Sequence, residues 1–154
     1  MKKLLQKRKN NKGFSLVELI VVVAIMAVLI GVLVPTLVRN VEKSKKQKDI
    51  ATVEEVRNQL TIALADEKYS ALKGTITCDN GKVELVASSA NGLTGDNAAD
   101  YIVEASQNLN AKATFEKQLT SKAYGTATVT FKIENEKVTA VITPKEGASV
   151  AVGE

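Results

Sequence analysis

Between Leu19 and Pro35 the chain carries no polar side chain, and its apolar character extends from Phe14 to Val38, about 25 residues in all. At a helical rise of roughly 1.5 Å per residue such a run is about 37 Å long, enough to cross a hydrocarbon layer of about 30 Å. It is too long for the apolar region of a cleaved secretory signal. No small-x-small cleavage site follows it either, since the chain continues Val34-Pro35-Thr36-Leu37-Val38-Arg39. A permanent membrane anchor, or a chain processed between its basic leader and the apolar run, remains. At the entrance to that run sits Glu18, and an ionised carboxylate in hydrocarbon has no water to solvate it, so Glu18 calls for a functional reason and a partner.

Insertion does not supply that reason. Fourteen Leu, Ile and Val residues between Leu19 and Val38, at about −0.3 to −0.6 kcal/mol each, favour insertion by roughly 4 to 8 kcal/mol. One acidic residue costs about 3 kcal/mol at mid-membrane and less near an end, so the helix inserts with Glu18 present. Six basic residues and no acidic ones lie in the first thirteen positions (Lys2, Lys3, Lys7, Arg8, Lys9 and Lys12). This excess holds that end in the cytoplasm and sends the rest outward.

The net charge of +4 comes from that leader alone; the remainder has 15 basic against 17 acidic residues. A nucleic-acid partner is therefore not indicated. The chain has one cysteine, Cys78, and no histidine. An intrachain disulfide, a Ser-His-Asp or Cys-His nucleophile pair and a Cys/His zinc site are thereby excluded. No converging set of carboxylates and lysines suggests an enzyme, and no cofactor is expected.

The stretch Lys12-Gly13-Phe14-Ser15-Leu16-Val17-Glu18-Leu19, after a basic leader and before the apolar run, resembles the N-terminus of type IV prepilins and of the pseudopilins of type II secretion and competence systems. The resemblance covers roughly residues 12–64 closely and the rest only in general layout. It implies cleavage after Gly13 by a membrane-embedded prepilin peptidase, N-methylation of the new terminus at Phe14, and pairing of Glu18 with the N-terminal amine of a neighbouring subunit during assembly. The chemistry is compatible: Gly13 offers no side chain to obstruct an extended substrate in a cleft. The freed amine of Phe14, with a pKa of about 8, is largely cationic at neutral pH. On this reading the partner of Glu18 is created by proteolysis.

Pro35 removes one helical hydrogen bond and crowds the carbonyl of Gly31, itself a poor helix former. A kink or locally melted segment is expected between Gly31 and Pro35, and the resemblance implies a loosening there in filaments. Beyond the membrane, Arg39, Lys43, Lys45, Lys46 and Lys48 form a polar face, while Ile50, Val53, Val56, Leu60, Ala63 and Leu64 recur at helical spacing. The helix is expected to end near residues 69–74. An Asn80-Gly81 turn between short alternating runs predicts a hairpin over residues 76–85, and residues 126–142 predict a second. Residues 96–109 read as a helix capped by Asp96 or Thr94, with Tyr101, Ile102, Ala105 and Leu109 inward; residues 111–121 read as another. Cys78 is expected to be a small buried side chain, and Asp96, Asn97 and Asp100 fit helix capping better than calcium binding.

The expected architecture is thus α+β: a leader (1–13) that is removed, a membrane and filament-core helix (14–38), its amphipathic continuation (39–70), and a head (71–154) with a small antiparallel sheet against the helix. The resemblance implies a non-catalytic subunit of a type IV pilus, a self-assembling homopolymer that begins as a single-pass membrane precursor and ends on the cell surface. Its implied partners are the prepilin peptidase, an assembly platform and a motor ATPase. A secretion or competence pseudopilin and a minor pilin are alternatives within the family, and a membrane-tethered binding module that never polymerises is the alternative outside it. Replacing Gly13 by Val is expected to leave a precursor that inserts normally but keeps its leader, as read by mass spectrometry of membrane fractions; normal trimming would remove Gly13 as the cleavage determinant.

Overall fold

The computed structural model describes residues 14–153; the expected leader, with Gly13, lies outside the described residues. The chain divides into two compact units, Met1–Arg39 and Asn40–Glu154. Helix α1, Leu16–Leu64, contributes to both. In the first unit every described side chain is exposed, although the segment contains a window of mean hydropathy 3.1. Apolar side chains left so completely uncovered need hydrocarbon or other apolar helices as their surroundings.

In the second unit α1 buries one stripe: Asp49, Thr52, Val53, Val56, Leu60, Ala63 and Leu64. These positions recur at three and four residues, the spacing that puts them on one face. The helix stops at Leu64, earlier than residues 69–74. Asp66 adopts an extended backbone and its side chain accepts the Lys68 N–H, capping a short 3-10 turn, Glu67–Tyr69, that turns Tyr69 into the core.

Strands β1 (Lys73–Cys78), β2 (Lys82–Leu85) and β3 (Leu93–Thr94) precede helix α2 (Ala98–Asn110); β4 (Phe115–Gln118), β5 (Thr128–Glu134), β6 (Lys137–Thr143) and β7 (Val150–Val152) follow it. Five strands form an antiparallel sheet in the order β3-β1-β5-β6-β7, and β2 pairs with β4 separately. Inward residues of the main sheet alternate as expected for a half-buried sheet: Val129, Phe131 and Ile133 on β5, and Val138, Ala140 and Ile142 on β6. They share one core cluster with the buried stripe of α1 and with Tyr101, Ile102 and Ala105 of α2. The Tyr101 hydroxyl donates to the Leu60 carbonyl at 2.8 Å, tying the two helices together. The α+β class expected from the sequence, a long helix on a small antiparallel sheet, is the fold observed.

The β5–β6 hairpin forms with a two-residue turn in which Asn135 and Glu136 both have positive φ, 53° and 60°. The other expected hairpin does not. Its turn exists, with Asn80 and Gly81 at positive φ and the Lys82 N–H donating to Asp79 O at 3.1 Å, but β1 pairs with β3 and β5 while β2 pairs with β4. The residues that would pair across the turn are paired elsewhere, residues 74–78 with β5 and residues 82–85 with β4, and the turn itself is tied to other segments, the Gly81 N–H donating to Ala127 O and Gly81 O accepting from Leu119.

Two further expectations are corrected. The helix expected at residues 111–121 is strand β4, because Ala111 closes α2 in the left-handed region, donating to Gln107 O, and Phe115 is then drawn into the core opposite Leu85. Neither Asp96 nor Thr94 caps α2. Asn97 occupies the cap at φ 64° without a side-chain bond, and the Thr94 hydroxyl bonds Lys73 O instead.

The C-terminal residues are held by β7 pairing with β6, by the buried Val152, and by Gly153 packing on the Arg57 guanidinium. Because the second unit contains its own continuous core, a chain starting at Asn40 is expected to be a folded, soluble monomer by circular dichroism and sedimentation. Unfolding or self-association of that fragment would contradict this.

Candidate functional site

The first site lies where α1 begins. The Ser15 carbonyl accepts the Leu19 N–H at 3.2 Å, which makes Ser15 the cap, and Glu18 turns Oε2 back onto the Ser15 N–H at 2.9 Å. That is one arm of a capping box, satisfying a donor the helix leaves free and placing a negative charge at the positive end of the helix dipole. Reading Glu18 only as a charge awaiting a partner overlooks this role, for which the Ser-x-x-Glu spacing is the sequence signal. One carboxylate oxygen is used in this way; among the described residues Oε1 has no protein partner. Phe14, four residues before Glu18, is 92% exposed.

Helix α1 runs without interruption through Gly31 and Pro35. Pro35 has no N–H to give to the Gly31 carbonyl. Beside the gap, the Thr36 hydroxyl stands 3.5 Å from Val32 O. A Cβ at Gly31 would meet nothing within 4 Å, so close packing inside the chain does not require glycine there.

The second unit contains a polar clamp not anticipated from the sequence. Asp49 is only 3% exposed, although it is acidic. Its carboxylate accepts the Thr120 N–H at 2.9 and 3.1 Å and the Ser121 N–H at 2.8 Å. Two helical turns earlier, Glu42 accepts the next N–H, that of Lys122, at 2.6 Å. Three consecutive amides of the β4–β5 loop are thereby fastened to one face of α1. The signal was an acid one turn before Val53 on the apolar stripe.

Other candidates resolve simply. Cys78 is buried, burial pushes its thiol up, and its sulfur lies 3.3 Å from Glu84 O, so it acts as a small core side chain. Among the described residues no group of three or more His, Cys, Asp or Glu side chains is placed to hold a metal ion. Lys68 is held above the usual lysine range by Glu104 and then Asp66, at an exposed position.

The family model described as the prokaryotic N-terminal methylation motif matches residues 8–34, a stretch containing Gly13, Phe14, Glu18 and Gly31. Among curated proteins, the chain is 36% identical over 58 residues to type II secretion system core protein G of Dickeya chrysanthemi, covering 38% of each chain. The protein of that name from Escherichia coli K12 is 36% identical over 60 residues, 39% of this chain and 41% of the relative. That from Vibrio cholerae is 31% identical over 87 residues, 56% of each. The chain thus spans about two fifths to just over half the length of the relatives it matches. No solved structure matches. The chain thus carries a prepilin-type N-terminal methylation motif and is similar, over part of its length, to type II secretion system core protein G.

Replacing Asp49 by Ala strands the loop donors of Thr120 and the buried Ser121 and is expected to cost about 1 to 3 kcal/mol of stability, measured by urea denaturation of the detergent-solubilised chain. Asn, which keeps one acceptor oxygen, should lose less than Ala. A loss below about 0.5 kcal/mol for Asp49→Ala, the size of an ordinary surface change, would deny the clamp its structural role.

Proposed function

We propose that the chain is a non-catalytic pseudopilin, a filament subunit that is inserted as a membrane precursor, cleaved after Gly13, methylated on Phe14 and drawn into a helical assembly through its apolar helix. The observation that carries this reading is the methylation motif over residues 8–34 together with relatives named as a type II secretion core protein. The sequence alone led first to a surface type IV pilus. Both assemblies share these early steps, and the relatives' names favour the secretion filament, which would occupy the periplasm instead of the cell surface. Prepilin peptidase, an assembly platform and a motor ATPase are the partners this reading requires.

Glu18 has the central part in the mechanism. In the precursor one oxygen caps the chain's own helix through Ser15. Cleavage creates an amine at Phe14, which remains cationic after methylation because a secondary amine still takes up a proton. In a filament the amine of one subunit meets the Glu18 carboxylate of another in surroundings without water, where the attraction between opposite charges is far stronger than in solution. A subunit out of register leaves both charges unpaired, so the pair selects the axial position at which subunits join. Gly31 and Pro35, which leave one carbonyl without its helical donor, are the place where the helix is proposed to loosen when packed among neighbours.

The test is Glu18→Gln. The amide oxygen of Gln can still accept the Ser15 N–H, so the substitution keeps the cap and removes the charge. Processed, methylated subunits should accumulate in the membrane, with few filaments in electron micrographs. The expected penalty for one side of a desolvated pair left alone is about 3 to 5 kcal/mol. Abundant filaments from Glu18→Gln as the sole subunit would end the charge-pairing reading, and a mature protein beginning at Met1 would end the pseudopilin reading itself.

A further inference from the structure

Next to the Glu42–Asp49 clamp is an open cleft of about 450 Å³ lined by Glu42, Lys46, Lys122, Ala123, Thr126, Lys145 and Glu146. Three lysines reach it from three separate segments: α1, the β4–β5 loop and the β6–β7 loop. All three are exposed, and among the described residues none takes part in an ion pair. Of the two acids, Glu42 is already engaged by the Lys122 N–H. The clamp therefore fixes the backbone of Lys122 at the cleft while one of the cleft's negative charges is occupied in doing so. The lining thus sets three lysines against two carboxylates, Glu42 and the exposed Glu146, and the unpaired ammonium groups supply the donors that a phosphate oxygen would take.

The position of the cleft along the chain indicates where such a phosphate would come from. Glu42 and Lys46 lie four and eight residues beyond Val38, the last residue of the apolar run, within the same uninterrupted helix. Arg39, Lys43, Lys45 and Lys48 add further positive charge over this stretch. Polar side chains this close in sequence to a membrane segment lie near lipid headgroups, and a basic cluster there attracts anionic ones.

We propose that the cleft formed by Lys46, Lys122 and Lys145 binds the phosphate of an anionic phospholipid in the leaflet from which α1 emerges, and so holds the second unit at the bilayer before assembly. Extraction into a filament then requires release of that lipid. The proposal rests on the membrane-anchored precursor state, but not on the type of filament formed.

The test uses the full chain in lipid nanodiscs of phosphatidylcholine alone or mixed with phosphatidylglycerol, with amide hydrogen exchange followed over residues 120–126 and 144–147. Phosphatidylglycerol should slow exchange in both segments, and the protection should disappear in high salt. Each lysine exchanged for Gln (Lys46→Gln, Lys122→Gln, Lys145→Gln) should lower headgroup occupancy about fivefold, while Lys137→Gln, next to Glu136, which lies by Thr61 and Leu64 at the far end of α1, should leave it unchanged. Equal exchange in the two lipids, or protection surviving the triple variant, overturns the proposal. So does equal protection by soluble glycerol phosphate in phosphatidylcholine discs, which would make the ligand a free phosphate. Protection that appears in phosphatidylcholine only as more chains are loaded per disc would assign the cleft to a second copy and likewise overturn it. Co-purification of the chain with both kinds of disc separates a failure of anchoring from a failure of headgroup binding.

Discussion

A helix with an apolar run of about 25 residues that the rest of its own chain leaves uncovered must be covered by something else, and nearly every other property of this molecule follows from that requirement. Lipid can cover it, and so can copies of the same helix. Because lipid tails are as apolar as Leu and Val, moving from one to the other gains little from the hydrophobic effect. In the assembly proposed above, the choice between stored subunit and filament would then be made by the few groups that are not apolar. In the described part of the segment the ionisable one is Glu18.

How well the sequence could be read depended on the range of the interactions concerned. The apolar helix, the amphipathic stripe through Val53, Val56 and Leu60, and the β5–β6 hairpin depend on periodicity and turn chemistry within a few residues, and they were legible. The pairing of β1 with β5 instead of β2 was not, since it depends on β5 and β4, distant in the chain, pairing with residues 74–78 and 82–85. The same holds for β4, whose residues have no strong strand preference until Phe115 finds the core opposite Leu85. Propensity is local, and here tertiary contacts overrode it.

The sites divide in the same way. Glu18 was conspicuous because an acid interrupts an apolar stretch, yet its capping bond to Ser15 was obscured by the question of its charge. Asp49 interrupts an apolar stripe too, but amid the lysines and glutamates of the helix's polar face it did not stand out. Its meaning depends on amides 71 and 72 residues away in the chain, a relation that no spacing rule contains.

The clamp also bears on how the molecule would carry mechanical load. The α1 helix is joined covalently to the rest of its unit only after Leu64, but Asp49 and Glu42 fasten it to the β4–β5 loop two and more turns apart along the same face. A pull on the helix from its N-terminal side therefore meets these bonds before it reaches the connection at Leu64. The bonds lie side by side along the helix, so they would be sheared together instead of peeled one after another. Tension is spread over several charge-assisted hydrogen bonds at the near end of the unit, and the connection beyond Leu64 is shielded from it.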